Sequence, residues 1–423
     1  MPLTLKFMKS QAAISDHRFE RPLCPDDLYA EIPLQSGDID FAKLKDEAET
    51  NAERSAEFVK NHLPIPRKMT PDEKVKARAQ RILNLLMLTR YRRGPKEFVD
   101  TQNTLARIVD SINSQSPVEL ILSFFGYKVC NRLKTWAETG TEVDLSETAS
   151  LLRFYEIAKA IDHLHEGGGK VTVACDGSKY APAVGFSEEQ GRGYFQNVSA
   201  LAEHMGIDSS VKLVDEADHY PDDHKEKAGE NCRRVHEGYI NGNQDIVSLV
   251  GSLRKSIALT IPIAKSISIE TVALAFCEGI NDEELKRVSK AAFELRMWIQ
   301  DQSLASTVKY IGYYNAVKNA GVIERIAPHA LRATVHPKPG QIGLYAINKA
   351  NDNRFPHHGQ GVICADAKPG NYLDKVRVRF QADIRRPALD EGLKGICLPQ
   401  FKYRFATNER HPFVFKPLIQ NHD

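Results

Sequence analysis

The order of apolar and polar residues predicts alternating helices and strands along most of the chain. The clearest start signal is Thr70–Glu73, which supplies a helix N-cap, a proline in the first turn and a capping-box glutamate. The apolar residues that follow recur on one helical face: Val75, Ala79, Ile82 and Leu86. We therefore expect the core to begin with this helix, preceded by a polar segment that has one helical stretch near residues 40 to 60.

The middle of the chain has the order strand, helix, strand. The apolar run Val118–Phe125 is followed by helical spacing over Leu151–Ile161 and by the apolar strand Lys170–Cys175. This order predicts a parallel pair of strands with a right-handed crossover. A second capping box at Ser187–Gln190 and a short strand at Val211–Val214 continue the alternation.

The last third of the chain changes from helical patterns to short β-like runs. The pattern predicts an α/β fold, with a parallel or mixed sheet flanked by helices and a β-rich C-terminal part. We divide the chain into an N-terminal extension (1–65), an α/β core (66–327) and a β-rich part packed on the core (328–423). The helical patterns are Asp245–Ala258, Asp282–Gln300 and Leu304–Asn319, and the β-like runs are Leu331–Val335, Leu344–Ile347, Gly361–Cys364 and Val376–Phe380.

The bulk composition narrows the class of function. The 57 Lys and Arg residues nearly balance the 55 Asp and Glu residues, which argues against general binding to nucleic acid or to a membrane surface. The first residues lack the pattern of a secretory signal, and no run of about 18 apolar residues occurs, so we expect a cytoplasmic protein. The seven cysteines are scattered without a Cys-x-x-Cys motif and are interpreted as free thiols.

Two polar segments follow predicted strands and indicate an anion-binding pocket. The segment Lys128–Lys134 contains three cations, Lys128, Arg132 and Lys134, and such clusters suit phosphate. Asp176 ends the second predicted strand, where α/β enzymes often carry an acid, a base or a ligand-orienting group. A solvent-facing loop and a turn-forming Asp are the alternatives for the two segments. A phosphorylated small molecule is the expected partner.

Two later segments contain histidines that could transfer protons. His336 and Lys338 follow one predicted strand, and His358 precedes another with a glycine after it. Taken singly, each histidine is more often structural. The sequence contains no His-Glu-x-x-His, Gly-x-Gly-x-x-Gly or Gly-x-Ser-x-Gly motif, so metalloprotease, dinucleotide-binding and serine-hydrolase sites are disfavoured.

Four segments of the chain, taken in order, resemble the pyoverdine/dityrosine biosynthesis family, whose bacterial members are isocyanide (isonitrile) synthases. The likeness covers roughly residues 78 to 365. The family implies a Rossmann-like fold and a reaction without metal or redox cofactor, in which an amino-acid amine attacks the C2 ketone of the co-substrate ribulose 5-phosphate. The nitrogen becomes an isonitrile whose carbon comes from the sugar. The matching segments are Lys128–Lys134, Val171–Gly177, Leu331–Pro337 and Pro356–Gly359.

The resemblance assigns roles to two groups of residues. The group expected to bind the phosphate and sugar hydroxyls comprises Lys128, Arg132 and Lys134, with Lys338 as a further anion contact. The group expected to orient the amine or to move protons comprises Asp176, His336 and His358. No metal ligand is expected.

Three departures from the family pattern leave the amino-acid substrate open. They are Cys175 before Asp-Gly, Phe125–Tyr127 before the basic segment, and His357 before His-Gly. The resemblance implies tyrosine or tryptophan as the usual substrate, with a smaller or aliphatic amino acid as the alternative. The fungal branch of the family is associated with an N-formyl tyrosine product, so a formamide product is also open. The resemblance leaves room for a downstream Fe(II)/2-oxoglutarate oxygenase in the pathway. A sugar-phosphate aldolase or isomerase and a non-catalytic binding protein are the alternative functions.

Overall fold

The computed structural model describes residues 41–131, 134–135, 137, 139–264, 266–277, 280–351, 355–364, 367–379 and 395–396. Three helices come first: α1 (Phe41–His62), α2 (Pro71–Leu86) and α3 (Thr101–Asn113). The predicted capping box at Thr70 is confirmed, because its hydroxyl accepts from the Glu73 amide while the Glu73 carboxylate accepts from the Thr70 amide.

A five-stranded parallel sheet forms the centre of the molecule. Its strands are β1 (Val118–Ser123), β2 (Gly169–Cys175), β3 (Val211–Asp215), β4 (Leu331–Thr334) and β5 (Ile342–Gly343). They lie in the order β3-β2-β1-β4-β5, and each neighbouring pair is parallel. The chain order reverses direction between β1 and β4, which is the position where doubly wound sheets bind ligands. The α/β prediction is confirmed.

Helices connect the first three strands and cover the sheet. The helix α4 (Leu145–Asp162) joins β1 to β2. The short helix α5 (Gly177–Tyr180), a 3₁₀ turn (Ala181–Val184) and helix α6 (Glu188–His204) join β2 to β3. The predicted capping box at Ser187 is confirmed at the start of α6. A further 3₁₀ turn precedes α3 at Lys96–Phe98, and another follows β3 at Glu216–His219.

A helical segment lies between β3 and β4, and its breaks differ from the prediction. The helix break that the sequence predicted near residues 301–303 is absent. The Ser303 hydroxyl donates to the Gln300 carbonyl, and a helix accommodates this side-chain hydrogen bond. The break occurs instead at Ser289, whose hydroxyl accepts from the Ala292 amide as an N-cap. The helices are α7 (His224–Ile240), α8 (Gln244–Ala258), α9 (Ile269–Ala275), α10 (Asp282–Val288), α11 (Lys290–Ala320) and α12 (Val322–Ile326).

The C-terminal part contains a small antiparallel sheet. Its strands are β6 (Gln360–Cys364), β7 (Val376–Arg379) and β8 (Gly395–Ile396), in the order β7-β6-β8. The helix α13 (Tyr372–Lys375) precedes β7, and 3₁₀ turns lie at Lys349–Asn351 and Pro356–His358. The predicted strand at residues 344–347 is displaced, because the main-chain pairing with β4 occurs at Ile342–Gly343.

Two features change the expected division of the chain. The strands β4 and β5 belong to the parallel sheet itself, so a boundary near residue 327 cuts through the core. The helix α1, expected in an extension, contributes buried side chains such as Leu44 and Ala52 to the main hydrophobic core. Its Glu47 also accepts hydrogen bonds from the amides of Tyr372 and Leu373, at 2.8 and 3.0 Å.

None of the helices within the described ranges combines the length and the apolar character that crossing a lipid bilayer requires.

Candidate active site

A cavity of about 940 Å³ opens at the carboxyl ends of the parallel strands. Its lining includes the segment after β1, Ser123–Tyr127, and the end of β4 with the residues that follow, Ala333–His336. Residues from the ends of β2 and β3 and from helices α8, α11 and α12 complete the wall. The cavity therefore occupies the switch point between β1 and β4, where the sequence order of the strands reverses.

Close backbone contacts fix the end of β2 against the end of β1. A Cβ at Gly177 would overlap the carbonyl oxygen of Gly126, and a Cβ at Gly126 would lie 3.2 Å from Oδ1 of Asp176. The preceding residue, Phe125, has a φ of 60°, a left-handed conformation that costs a non-glycine residue about 1–3 kcal/mol. The surrounding packing thus holds Asp176 in one position beside the β1 loop.

The strand register brings two carboxylates together. Cys175 of β2 pairs with Asp215 of β3, so the residues that follow, Asp176 and Glu216, leave the sheet side by side. Both line the cavity, as does Lys179 from the first turn after β2. Nζ of Lys179 lies 3.9 Å from Oε2 of Glu216. The structure therefore groups two acids and one amine on one part of the cavity wall.

This environment shifts all three ionisations toward neutral pH. Burial and the nearby Glu216 raise the pKa of Asp176 to about 7, although Lys179 opposes the shift. Burial also raises the pKa of Glu216, and Lys179 together with the Ser123 hydroxyl, 2.7 Å from Oε1, limits the rise. Burial lowers the pKa of Lys179 to about 8, against the pull of the two carboxylates. Such groups can exchange protons near pH 7.

Three imidazoles also line the cavity. His357 and His358 have ring centroids 4.2 Å apart, and His336 packs against Phe355 at 4.7 Å. Burial and the neighbouring cations Lys128 and Lys134 lower the pKa of His357 to about 3. Nδ1 of His357 is buried and finds no hydrogen-bond partner in the described part of the chain. Neutral imidazoles therefore face the cavity at physiological pH.

Cations lie close to these imidazoles. Lys134 is buried in a turn that Asn131 closes by accepting from the Lys134 amide at 2.7 Å, and burial lowers the pKa of the lysine to about 7. Lys338 lies at the open side, with its ammonium 6.0 Å from the ring centre of Tyr314. Arg332 reaches the cavity from β4 on the side of the carboxylates Glu216 and Glu324, and its Nη1 is buried without a partner among the residues described. Lys134 and Lys338 act on the imidazoles, so this part of the cavity wall suits an anion.

The remaining wall is aromatic and aliphatic. The rings of Tyr180 and Tyr310 lie 4.7 Å apart, and Tyr127 is almost fully buried beside them. Apolar side chains from α8, α11 and α12 complete this face: Leu253, Ile257, Val317, Val322 and Ile323. The cavity wall therefore offers both cationic and apolar surfaces to a ligand.

The position of Lys128 does not support its predicted role in phosphate binding. Its ammonium is buried and contacts Asp144, Glu147 and the carbonyl oxygen of Pro356, each at 2.9 Å. Lys128 is not among the residues that line the cavity. Two carboxylates satisfy its charge, so it is a structural ion-pair residue. Arg132, the third predicted cation, lies outside the described residues.

The structure brings together five of the predicted site residues: Asp176, His336, His358, Lys134 and Lys338. Sequence reasoning missed Glu216, Lys179 and Arg332. The signal that selected Asp176, an acid directly after a strand, also applies to Glu216. Neither spacing nor a motif distinguishes Lys179 from other lysines. Among the described residues, no group of three His, Cys, Asp or Glu is arranged to hold a metal ion.

Comparison with known proteins identifies a matching family, a similar sequence and similar structures. A family model for "Pyoverdine/dityrosine biosynthesis protein" matches residues 108–379. An L-tryptophan isonitrile synthase from Fischerella ambigua, AmbI2, is 27% identical over 271 residues, which cover 61% of this chain and 72% of the relative. The crystal structure of PvcA from Pseudomonas aeruginosa superposes with a TM-score of 0.51 at 17% identity, covering 73% of this chain and 93% of that one. At this identity the structural likeness shows the fold.

Proposed function

The chain belongs to the pyoverdine/dityrosine biosynthesis family, and from that premise we propose that it is an isonitrile synthase. In this proposal an amino acid and ribulose 5-phosphate meet in the cavity at the β1–β4 switch point. The amine attacks the C2 ketone of the sugar, and the nitrogen leaves as an isonitrile carrying one carbon of the sugar. The similarity to a tryptophan isonitrile synthase supports this choice of reaction.

The main support for the proposal is that three kinds of side chain surround one cavity of about 940 Å³. Lys134, Lys338 and the neutral imidazoles form one part of the wall, the Asp176–Glu216 pair with Lys179 forms another, and aromatic and aliphatic side chains form the rest. The cations and imidazoles suit a sugar phosphate, and the acids with Lys179 suit proton transfer during condensation. The aromatic and aliphatic surface suits an amino-acid side chain.

In this proposal the phosphate lies beside Lys134 and Lys338, and Arg332 approaches it from the end of β4. Arg offers a fork of donors and each Lys a point charge, and partial burial strengthens both. The unpartnered Nη1 of Arg332 and the unpartnered Nδ1 of His357 would each gain a ligand atom as partner. The histidines expected to act as acids and bases, His336 and His358, would then contact the phosphate or the sugar hydroxyls. A bound dianion would raise their pKa toward neutrality.

The proton transfers fall to Asp176 and Glu216. An amino acid arrives as an ammonium, which must lose a proton before its nitrogen can attack a ketone. The Asp176 carboxyl, with a pKa of about 7, can accept that proton and return it to the ketone oxygen. Glu216 lies beside it as a second acceptor, with Nζ of Lys179 3.9 Å from its Oε2.

The experiment that tests the proposal uses the purified full chain. It is incubated with ribulose 5-phosphate and the twenty amino acids, and mass spectrometry is used to find the conversion of an amine to an isonitrile or a formamide. We expect one isonitrile product, formed only when both substrates are present. Consumption of ribulose 5-phosphate without an amino acid would favour an aldolase or isomerase, and binding without turnover would favour a non-catalytic role.

A further inference from the structure

Two buried lysines line the cavity, and they have different neighbours. Lys134 lies on the side of the imidazoles, where its charge acts on His357 and His358. Lys179 lies on the side of the carboxylates, with its ammonium 3.9 Å from Glu216 and 4.3 Å from the ring centre of Tyr180. The placement of Lys134 suits an anion, whereas the placement of Lys179 suits a reaction that needs both an amine and proton donors.

The contacts of Lys179 leave its nitrogen available for chemistry. Its separation from Glu216 exceeds hydrogen-bonding distance, and Oε1 of that carboxylate already accepts from Ser123 at 2.7 Å. The side chain of Lys179 is 2% exposed, so the cavity and not bulk solvent surrounds the nitrogen. Burial lowers the pKa of Lys179 to about 8, so a measurable fraction of the amine is unprotonated near neutral pH.

We propose that Lys179 is a catalytic residue that forms a Schiff base with the ketone of the sugar phosphate before the amino acid reacts. The inference deepens the proposed function and rests on it for the identity of the ketone. Formation of this Schiff base requires no reactant other than the two substrates.

The proposed step balances as follows. The lone pair of unprotonated Nζ forms a carbon–nitrogen bond to C2, the ketone oxygen takes a proton from the Asp176–Glu216 pair, and Nζ returns one proton to the pair, which gives a neutral carbinolamine. A second proton from the pair converts the hydroxyl group to water, which leaves as the nitrogen lone pair forms the double bond of a protonated imine. The amino-acid amine then adds to the imine carbon, a proton passes from its nitrogen to Nζ, and Lys179 leaves as an amine while the substrate imine returns its proton to the pair. One ketone and one amine thus yield one substrate imine and one water, with Lys179 regenerated.

The neighbouring acids make this route chemically reasonable. Carbinolamine formation and dehydration each need a group that gives a proton and then takes one back, and Asp176 has the required pKa of about 7. A protonated imine is also more electrophilic than a ketone, so the substrate amine would meet an activated carbon. The same carboxylates stabilise the iminium charge by direct electrostatic attraction.

The direct test is reductive trapping on the wild-type chain. The protein is mixed with ribulose 5-phosphate and sodium borohydride in the absence of an amino acid, then digested and sequenced by mass spectrometry. We expect one reduced pentulose phosphate on Lys179. An untrapped protein that nevertheless makes isonitrile, or an adduct on Lys134 instead, would overturn the inference while leaving the proposed function intact. An adduct on Lys179 without isonitrile formation would support the inference and remove the proposed function.

A pair of variants separates covalent chemistry from charge balance. Lys179→Arg keeps the cation beside Glu216 but cannot form an imine, so kcat should fall by about 100-fold or more and trapping should disappear. If Lys179 only balances charge, Lys179→Arg would retain most activity, and that result would contradict the inference. Lys170→Arg is the matched control, because Lys170 pairs with Glu119 at the other end of β2. This control should keep both activity and trapping.

Discussion

The ammonium of Lys128 lies 2.9 Å from the carbonyl oxygen of Pro356. This contact joins the basic segment after β1 to the turn that carries His357 and His358. A main-chain hydrogen bond from Val129 to the His357 carbonyl, at 2.9 Å, reinforces the junction. Lys128 therefore positions the imidazoles from behind the cavity wall.

Replacing Lys128 with Met should destabilise the protein strongly. The substitution leaves Asp144 and Glu147 buried without their cation, and breaking a buried pair in this way costs about 3–5 kcal/mol. Equilibrium unfolding in urea should show this loss. A variant with unchanged stability would contradict the assignment of Lys128 as a structural ion-pair residue.

Lys134→Met is the matched comparison, because both lysines are buried and only Lys134 lines the cavity. Burial of the Lys134 charge is unfavourable, as its lowered pKa indicates, so the free energy of unfolding should change little. The KM for ribulose 5-phosphate should rise by about 10-fold or more, the scale of losing a charged contact. An unchanged KM would remove Lys134 from the anion site.

Gly177→Ala should prevent the normal approach of the β1 and β2 loops. The added Cβ would overlap the Gly126 carbonyl, and both partners are backbone that cannot rotate away. We expect poor folding or a loss of activity of about 100-fold, since Asp176 lies next to the displaced bond. Gly251→Ala is the control, because nothing lies within 4 Å of a Cβ there and alanine favours its helix. Equal tolerance of both changes would refute the close-contact argument.

The sequence signals that proved reliable are local. The capping boxes at Thr70 and Ser187 depend on residues three positions apart, and both helices begin where those residues indicate. Asp176 was identified because it directly follows an apolar strand, and the strand end does open into the cavity. The sequence therefore predicts those features that a few neighbouring residues determine.

The features that were missed depend on contacts between distant residues. Lys128 resembles a solvent-facing cation until Asp144 and Glu147, another capping-box pair, are seen to surround it. The pairing of β4 with β1 brings residues more than 200 positions apart together, which no local pattern predicts. Lys179 belongs to the site only because the register of β2 and β3 places Glu216 beside it.

The activity should increase with pH as the Asp176–Glu216 pair loses its proton. Because burial and Glu216 raise the pKa of Asp176 to about 7, kcat/KM should rise between about pH 6 and pH 8. Asp176→Asn should lower kcat by about 100-fold or more and flatten this limb of the profile. An Asp176→Asn variant with the wild-type pH profile would exclude Asp176 as the titrating base.

The same residue should affect stability with a defined sign. The folded protein holds the Asp176 proton up to about pH 7, whereas the unfolded chain releases it near 3.8, so rising pH through this window favours unfolding. Asp176→Asn removes that penalty. Thermal unfolding should therefore show the variant gaining more in Tm relative to wild type at pH 8 than at pH 5. The opposite trend would show that the carboxylate stabilises the fold.

Arg332 should bind the sugar phosphate selectively. Its Nη1 is buried and lacks a partner in the described residues, so a phosphate oxygen would satisfy it. Arg332→Met should raise the KM for ribulose 5-phosphate by about 10-fold or more and leave the KM for the amino acid nearly unchanged. Steady-state kinetics with each substrate varied in turn will measure both values. Equal changes in the two KM values would argue for a general structural role.

The most direct test of the proposed reaction asks whether the isonitrile carbon comes from ribulose 5-phosphate. The full chain is incubated with ribulose 5-phosphate carrying carbon-13 at every position and with the amino acid that it accepts, and the product is examined by mass spectrometry and NMR. The account predicts an isonitrile that retains the amino-acid nitrogen and contains a single heavy carbon, bonded to that nitrogen. A product without heavy carbon, or ribulose 5-phosphate left unconsumed by active, folded protein, would contradict it.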